Sequence, residues 1–349
     1  MNKKAIVLLS GGLDSILAVR IMQEQGIEVE AINFLTVFCT CTHKGCQHAA
    51  TKAAQDLKIP LKVFNITEEY LEIIKNPKHG YGSNMNPCID CRIFFFKKAG
   101  EYLKERGASF IVTGEVLGER PMSQRRDAIL LIEKEAGLKG LIVRPLSAKL
   151  FNPTIPEQEG ILDRDKMLDI SGRSRKPQIA LARQFGLSDY PCPAGGCLLT
   201  DPGFARRIKD LLDHNCLALD EVKLLKFGRH FRLSETAKLV IGRSEEENDL
   251  LCSLARPEDI VFKLKSHQGP FSILRGRFDP STAFRVDGEQ GRTIVAGMIE
   301  RAASIVAHHT KFRSENLLDV CYWKSGDDTD RITVSVKPAS AEEIERVRI

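Results

Sequence analysis

Short apolar runs alternating with amphipathic stretches through the first two hundred residues predict a doubly wound parallel sheet of the α/β class. Two further observations support this. The first apolar run passes directly into Ser10-Gly11-Gly12, and the later polar motifs fall where an apolar run gives way to a loop. In open parallel sheets that is the side on which ligands bind. From His230 onward the patterning changes, which predicts a smaller C-terminal α+β domain.

Ala5-Ile6-Val7-Leu8-Leu9 reads as a buried strand and Ser15 to Gln25 as the helix after it. Glu28 to Phe34 predicts a strand, Gln47 to Leu57 a helix, Leu61 to Asn65 a strand and Glu68 to Ile74 a short helix. Gly80 to Asn86 is a polar loop before a helix over Arg92 to Arg106, which carries Phe94, Phe95 and Phe96. Phe110 to Thr113 is a further buried strand. Ile129 to Ile132 and Gly140 to Val143 suggest a hairpin or extra strands. Phe151 to Gly160 reads as a Pro-rich loop and Pro177 to Phe185 as a helix. Residues 190 to 203 are turn-rich and close a domain of residues 1–203, followed by a helical linker over 204–227 and the second domain over 228–349. There, "KLVIGRS" and "RITVSVK" read as strands, and Gly291 to Val306 and Ala339 to Val347 as helices.

The 349 residues suffice for two cores; they are 43% hydrophobic and 28% charged, as in a soluble globular protein. No window approaches the ~18 apolar residues of a membrane span. Met-Asn-Lys-Lys leads straight into a strand, unlike a signal peptide, so the expected location is the cytoplasm, with no membrane partner. The net charge of +5 is mild, and residues from Lys226 onward carry 20 basic against 19 acidic side chains, so electrostatics alone does not nominate nucleic acid.

Ser10, Gly11, Gly12, Leu13, Asp14 and Ser15 lie between the first strand and the first helix. Adjacent glycines let the backbone turn and point N–H groups at an anion, where a helix N-terminus also favours negative charge. Neither the Gly-x4-Gly-Lys loop nor the Gly-x-Gly-x-x-Gly fingerprint is present. Ten cysteines in a cytosolic chain argue for metal or catalysis rather than disulfides. Cys88 and Cys91 form a Cys-x-x-Cys pair, to which Cys192 or Cys197 adds a third soft ligand. Three cysteines would leave one iron of a 4Fe–4S cluster open, four would close a zinc site, and a reactive dithiol or persulfide needs no metal. Cys39, Cys41 and Cys46, with His43 near, make a second nest, either a zinc site or small buried cysteines. Cys216, Cys252 and Cys321 stand in apolar company and read as packed core.

Ser-Gly-Gly-Leu-Asp-Ser resembles the loop of the PP-loop ATPases, which cleave ATP between its α and β phosphates. Thr113-Gly114-Glu115-Val116-Leu117-Gly118, with Ser123-Gln124, resembles a segment of the tRNA 4-thiouridine synthetases. Residues 86–114 resemble the matching segment of the tRNA 2-thiouridylases, and "RPLSAK" and "GGCLLTD" are similar to later synthetase segments. From about Gly228, "GRHFRL", "VIGRSEEEN" and "GPFSILRG" resemble the NFACT-type RNA-binding domain, which would replace the tRNA-binding module that the synthetases carry before their ATP loop.

The resemblance implies ATP-dependent thiolation of a tRNA uridine. The loop from Ser10 to Ser15 would hold ATP, with Asp14 near Mg²⁺. Asn33, Phe34 and Gly114 would flank the adenine, with Glu115 beside them. Sulfur would come from a donor, sulfide or a cysteine desulfurase. It would arrive on a cluster held by Cys88, Cys91 and Cys197 (Cys192 being the alternative third ligand), or as a persulfide on Cys197 with Cys88 or Cys91 resolving it. Arg125, Arg126, Arg173, Arg175 and Lys176 are candidate contacts to RNA phosphates. The rival reading is a PP-loop ligase or amidotransferase that adenylylates a small molecule without RNA.

Overall fold

The computed structural model describes residues 1–39, 45–187, 190, 197–276, 289–327 and 329–349, without the side chains of 45–47 and 289–295. The chain divides into two compact units, Met1–Asp201 and Pro202–Ile349.

The first unit is built on β1 (Lys4–Leu8), β2 (Glu28–Leu35), β3 (Leu61–Asn65), β4 (Phe110–Thr113) and β5 (Ile142–Val143). They form a five-stranded sheet in the order β3-β2-β1-β4-β5, every pair parallel. The order reverses at β1, so the carboxyl ends of β1 and β4 bound a crevice. Both faces of the sheet are covered, which is why β1 and β4 are apolar nearly throughout. On one face, Val7, Leu9 and Val112 pack with Leu13, Leu17 and Met22 of α1 (Leu13–Glu24) and with Ala182 of α7 (Lys176–Gln184). On the other, Ile6 and Ile111 pack with Ile93, Phe96 and Leu103 of α4 (Cys88–Glu105) and Ile132 of α5 (Arg126–Ala136). α2 (Gly45–Asp56), α3 (Thr67–Lys75) and the short α6 (Ile155–Gln158) complete the unit.

Three local expectations are corrected. Ile129 to Ile132 is helical: Ala128, Ile129 and Ile132 are buried while Leu130 is exposed, a helical repeat, and Gly137 in the left-handed region ends the helix. The loop from Phe151 to Gly160 contains α6, nucleated by a capping box between Thr154 and Glu157. The aromatic helix begins at Cys88 rather than Arg92, after Pro87 as N-cap, so Cys88 and Cys91 occupy its first turn.

The second unit contains α8 (Pro202–Asp213), α9 (Leu219–Leu224), α10 (Glu245–Leu254), α11 (Glu289–His308) and α12 (Ala341–Val347). Its six-stranded antiparallel sheet joins β6 (Arg229–Ser234), β7 (Ala237–Ile241), β8 (Ile260–Leu264), β9 (Ser272–Gly276), β10 (Leu318–Lys324) and β11 (Ile332–Val336) in the order β11-β10-β8-β9-β7-β6. One face packs Phe231, Leu239, Phe262 and Val320 against Ile299, Ala303 and Val306 of α11 and Ile344 of α12. On the other, Val240, Val261, Ile273 and Trp323 meet Leu224 and Leu251. A charged group is buried there: Asp259 takes Arg275 at 2.7 Å, and Glu221 takes Arg256 at 2.9 Å and Arg275 at 3.5 Å. The isolated cysteines are less buried than their apolar neighbours suggest. Cys252 is exposed and Cys216 and Cys321 half-buried, since Leu251 rather than Cys252 faces the core.

Candidate active site

The crevice begins at the first glycine loop. Gly11 has φ +79°, and a Cβ there would stand 2.5 Å from the Ala49 backbone, so only glycine lets α2 approach the loop. Gly12 is the N-cap of α1 and no side chain caps that helix. Ser10 Oγ accepts from the Gly12 N–H at 3.3 Å, and Ser15 Oγ donates to the Gly12 carbonyl at 2.8 Å. The remaining first-turn N–H groups and the dipole make the helix end receptive to an anion. Gly114, at the end of β4, is tighter still: a Cβ would lie 2.5 Å from Asp14 C and Ser15 N.

Ser10, Gly12, Leu13, Asp14, Ser15, Asn33, Phe34, Gly114 and Glu115 all line this crevice; Gly11 supports the loop from behind. Asn33 donates Nδ2–H to the Leu9 carbonyl at 2.8 Å, which leaves its buried Oδ1 as an unpaired acceptor. Phe34 stacks at 5.0 Å on Phe95, which the sequence read only as part of an apolar helix. Glu115 is held by Arg144 at 3.1 Å and Arg92 at 3.4 Å. Burial raises the Asp14 carboxyl above the ordinary carboxylate range, with Arg175 the main opposing charge, and Asp14 Oδ1 has no hydrogen-bond partner. Burial and the charge of Asp14 likewise raise Glu119, on the same lining. A pocket whose acceptors lack partners suits a polar ligand better than an apolar one.

Two long-range contacts bring the cysteines together. Cys197 forms a β-bridge with Cys39 just beyond β2, and the Leu198 N–H donates to Phe38 O at 2.9 Å. The loop before α4 is tied to the same turn: Met85 N–H donates to Leu199 O at 3.1 Å and Asn84 Nδ2 to Thr200 O at 2.7 Å. Cys88, Cys91 and Cys197 are free thiols close enough to perturb one another, gathered around the buried Tyr70. Burial pushes Cys197 up to about 12 and Cys91 up to about 11, Tyr70 partly opposing the latter through a hydrogen bond. Cys88 is raised by burial too, against Arg92 and Arg120. Burial therefore outweighs the helix N-terminus that would otherwise favour thiolate. Arg120, which lines the crevice, acts electrostatically on both Cys88 and Cys197.

Among the described residues no group of three or more His, Cys, Asp or Glu side chains is arranged to hold a metal ion. Cys192, the alternative third ligand, lies outside the described residues. Cys39 is disulfide-bonded, and Cys41, His43 and the side chain of Cys46 lie outside the described residues. Of the five basic candidates for RNA, Arg175 lines the crevice. Arg126 donates to the Leu150 carbonyl and stacks on Phe151, Arg125 pairs with Asp127, and Arg173 and Lys176 are exposed. Tyr70, Phe95, Arg120 and Gln178 belong to the site or its support without any sequence signal of their own, because their spacing matches no motif. No helix among the described residues is long and apolar enough to cross a membrane.

Residues 1–149 match the family described as "Thiamine biosynthesis protein (ThiI)", and residues 228–348 match the NFACT protein RNA binding domain. The tRNA-specific 2-thiouridylase MnmA of Syntrophotalea carbinolica is 32% identical over 121 residues, 32% of this chain and 34% of that protein. The "Probable tRNA sulfurtransferase" of Methanosarcina mazei is 31% identical over 122 residues, 33% of this chain and 29% of that protein. A longer match, 33% over 237 residues, covers 60% of this chain and 59% of the MnmA protein of Caldicellulosiruptor saccharolyticus. The chain thus spans about a third of the first curated relatives it matches. Among solved structures, a 4-thiouridine synthetase–RNA complex with bound ATP is 19% identical with a TM-score of 0.34, covering 53% of this chain and 51% of that one. The chain is therefore similar to PP-loop tRNA-thiolation proteins over its first unit and to NFACT-type RNA-binding domains over its second.

Proposed function

We propose that the protein is an ATP-dependent tRNA sulfurtransferase that adenylates a uracil carbonyl oxygen and replaces it with sulfur. The observation that carries this reading is an anion-receptive glycine loop and three mutually perturbing free thiols in one unit, with Arg120 lining the crevice and acting on Cys88 and Cys197. ATP lies with its phosphates on the N–H groups of the Ser10 to Ser15 loop and its adenine between Phe34, Asn33 and Gly114. Asn33 Oδ1, free and buried, accepts from the adenine amine. Mg²⁺, held by Asp14, offsets phosphate charge when bound.

A uracil oxygen attacks the α-phosphate, the uracil N3 proton passes to water, and the bond to the β-phosphate breaks, releasing pyrophosphate. Positioning and charge neutralisation supply the catalysis. A desulfurase or other persulfide donor places a sulfane sulfur on Cys197. Its terminal sulfur attacks the activated carbon and AMP leaves with the former carbonyl oxygen. Cys91 or Cys88 then attacks Cys197 Sγ, which forms a protein disulfide and frees the thiouridine; a dithiol reductant resets the pair. The raised thiols keep this chemistry silent in the resting protein, since the thiolate is the nucleophile. The second unit delivers the tRNA.

The test is pyrophosphate release and thiouridine formation with ATP, tRNA and a persulfide donor. Both are expected for wild type. Cys197→Ser should keep tRNA-dependent pyrophosphate release and form no thiouridine. Pyrophosphate release that ignores tRNA would favour the small-molecule ligase.

A further inference from the structure

We propose that Arg120 and Arg175 form a two-arginine clamp on the β- and γ-phosphates of ATP, carried by two loops locked to each other. This rests on the ATP-using reading above and assigns two residues that neither the glycine loop nor the cysteines account for.

The lock is visible in the backbone. Leu117 and Ser171 form a parallel β-bridge, and the Gly172 N–H donates to Leu117 O at 2.7 Å. Ser147 ties both: its Oγ accepts from the Leu117 N–H at 3.0 Å and donates to Ile170 O at 2.6 Å. Gly118 and Gly172 meet at this seam with φ of +78° and +82°; a Cβ on Gly118 would reach the Gly172 backbone at 3.6 Å. The first loop turns back through the Gly118 N–H to Gln124 O bond at 2.7 Å, and Gln124 Oε1 accepts from the Arg120 N–H at 3.0 Å. The second loop runs into α7, with Arg175 as its N-cap. Both guanidinium groups thereby come to line one crevice with the glycine loop.

Both arginines bias the charge of Asp14, and neither makes a close ion pair within the described residues. Arg175 Nε is buried with no hydrogen-bond partner. Independently, Gln178, one turn along α7, is fully buried against the Asp14 carboxyl, whose Oδ1 has no hydrogen-bond partner. Burying that many unpaired groups is costly unless a ligand completes them. The planar guanidinium fork suits phosphate oxygens, and two of them match the charge that gathers on departing pyrophosphate as the α–β bond breaks. A basic loop met only in sequence suggests RNA for Arg175; its place in the crevice assigns it to the nucleotide.

The test is equilibrium binding of ATP and of AMP, each with Mg²⁺, to the full chain and to Arg120→Gln, Arg175→Gln and Arg175→Lys, alongside tRNA binding. ATP affinity should fall about tenfold or more in each Gln variant, AMP affinity should stay at the wild-type value, and Arg175→Lys should recover part of the loss. Equal losses for ATP and AMP would overturn the clamp, because that pattern marks a collapsed crevice. Unchanged ATP affinity with weakened tRNA binding would overturn it in favour of RNA contacts. Wild type that shows the ATP-selective loss on mutation yet thiolates no tRNA would leave the clamp standing and remove only the sulfurtransferase reading.

Discussion

The two units bury polar groups in different ways. In the second, Arg275, Asp259, Glu221 and Arg256 neutralise one another under the sheet. His230 and Ser272 of that unit also hold unpaired atoms, on separate strands, whereas in the first unit unpaired atoms of Asp14, Asn33 and Arg175 collect at one crevice. The former arrangement costs desolvation and returns it in ion pairs, so it fixes structure. The latter gathers polar atoms without hydrogen-bond partners on one lining, which is the pattern expected of a ligand site. Where the partners are missing says more about function than how many charges are buried.

The largest effect that would sharpen this contrast comes from Asp259→Ala, which strands Arg275 beneath the sheet. It should cost about 3–5 kcal/mol in urea unfolding followed by Trp323, the sole tryptophan, buried in β10. Nucleotide binding by the first unit should remain; its loss would break the separation. Gly114→Ala should do the reverse, displacing the glycine loop, lowering nucleotide affinity about tenfold or more and costing ~1–3 kcal/mol, with the Trp323 transition unmoved.

The pH response should also differ in sign. Burial and Arg229 hold His309 in the second unit down to about 4. Its unfolded form takes up a proton at higher pH than its folded form, so this unit loses stability as pH falls from about 6.5 through 4. In the first unit Cys91 and Cys197 are raised to about 11 and 12, so the unfolded thiols ionise first. Their contribution is whole below pH 9 and lost as pH rises toward 12. Unfolding midpoints from pH 4 to 11, read separately on the two units, check both limbs. Tyr70→Phe should cost about 1 kcal/mol or less, since its ring still packs on Phe38 at 5.6 Å, and should move Cys91 alkylation to higher pH through loss of the hydroxyl donor. Arg125→Ala, removing an exposed pair with Asp127, should change stability by less than about 0.5 kcal/mol.

Much of the first unit was legible because a parallel strand buried on both faces must be an apolar run, as Ile6, Val7, Ile111 and Val112 are. The glycine loop was legible for a related reason: the left-handed φ of Gly11 and the close approach at Gly114 leave glycine as the residue that fits. Ile129 to Ile132 misled because four apolar residues in a row serve strand or helix equally. The place of Arg175 on the crevice lining was not legible, because sequence gives a charge and not the direction in which a loop presents it. The seam between Leu117 and Ser171, which decides that direction, joins segments far apart in the chain. Tyr70 and Gln178 were silent, since a lone tyrosine or glutamine on an amphipathic helix looks the same whether it packs or participates.

The Cys39–Cys197 bridge joins the end of β2 to the last turn of the first unit. During synthesis the nucleotide loop therefore emerges long before Cys197, and the thiols can assemble only after the whole unit has left the ribosome. A chain cut within the 188–196 segment would keep the glycine loop and both arginines while losing Cys197, and on the proposed function it should bind nucleotide without thiolating tRNA. The order of translation thus keeps Cys197 apart from Cys88 and Cys91 until the rest of the first unit has been made.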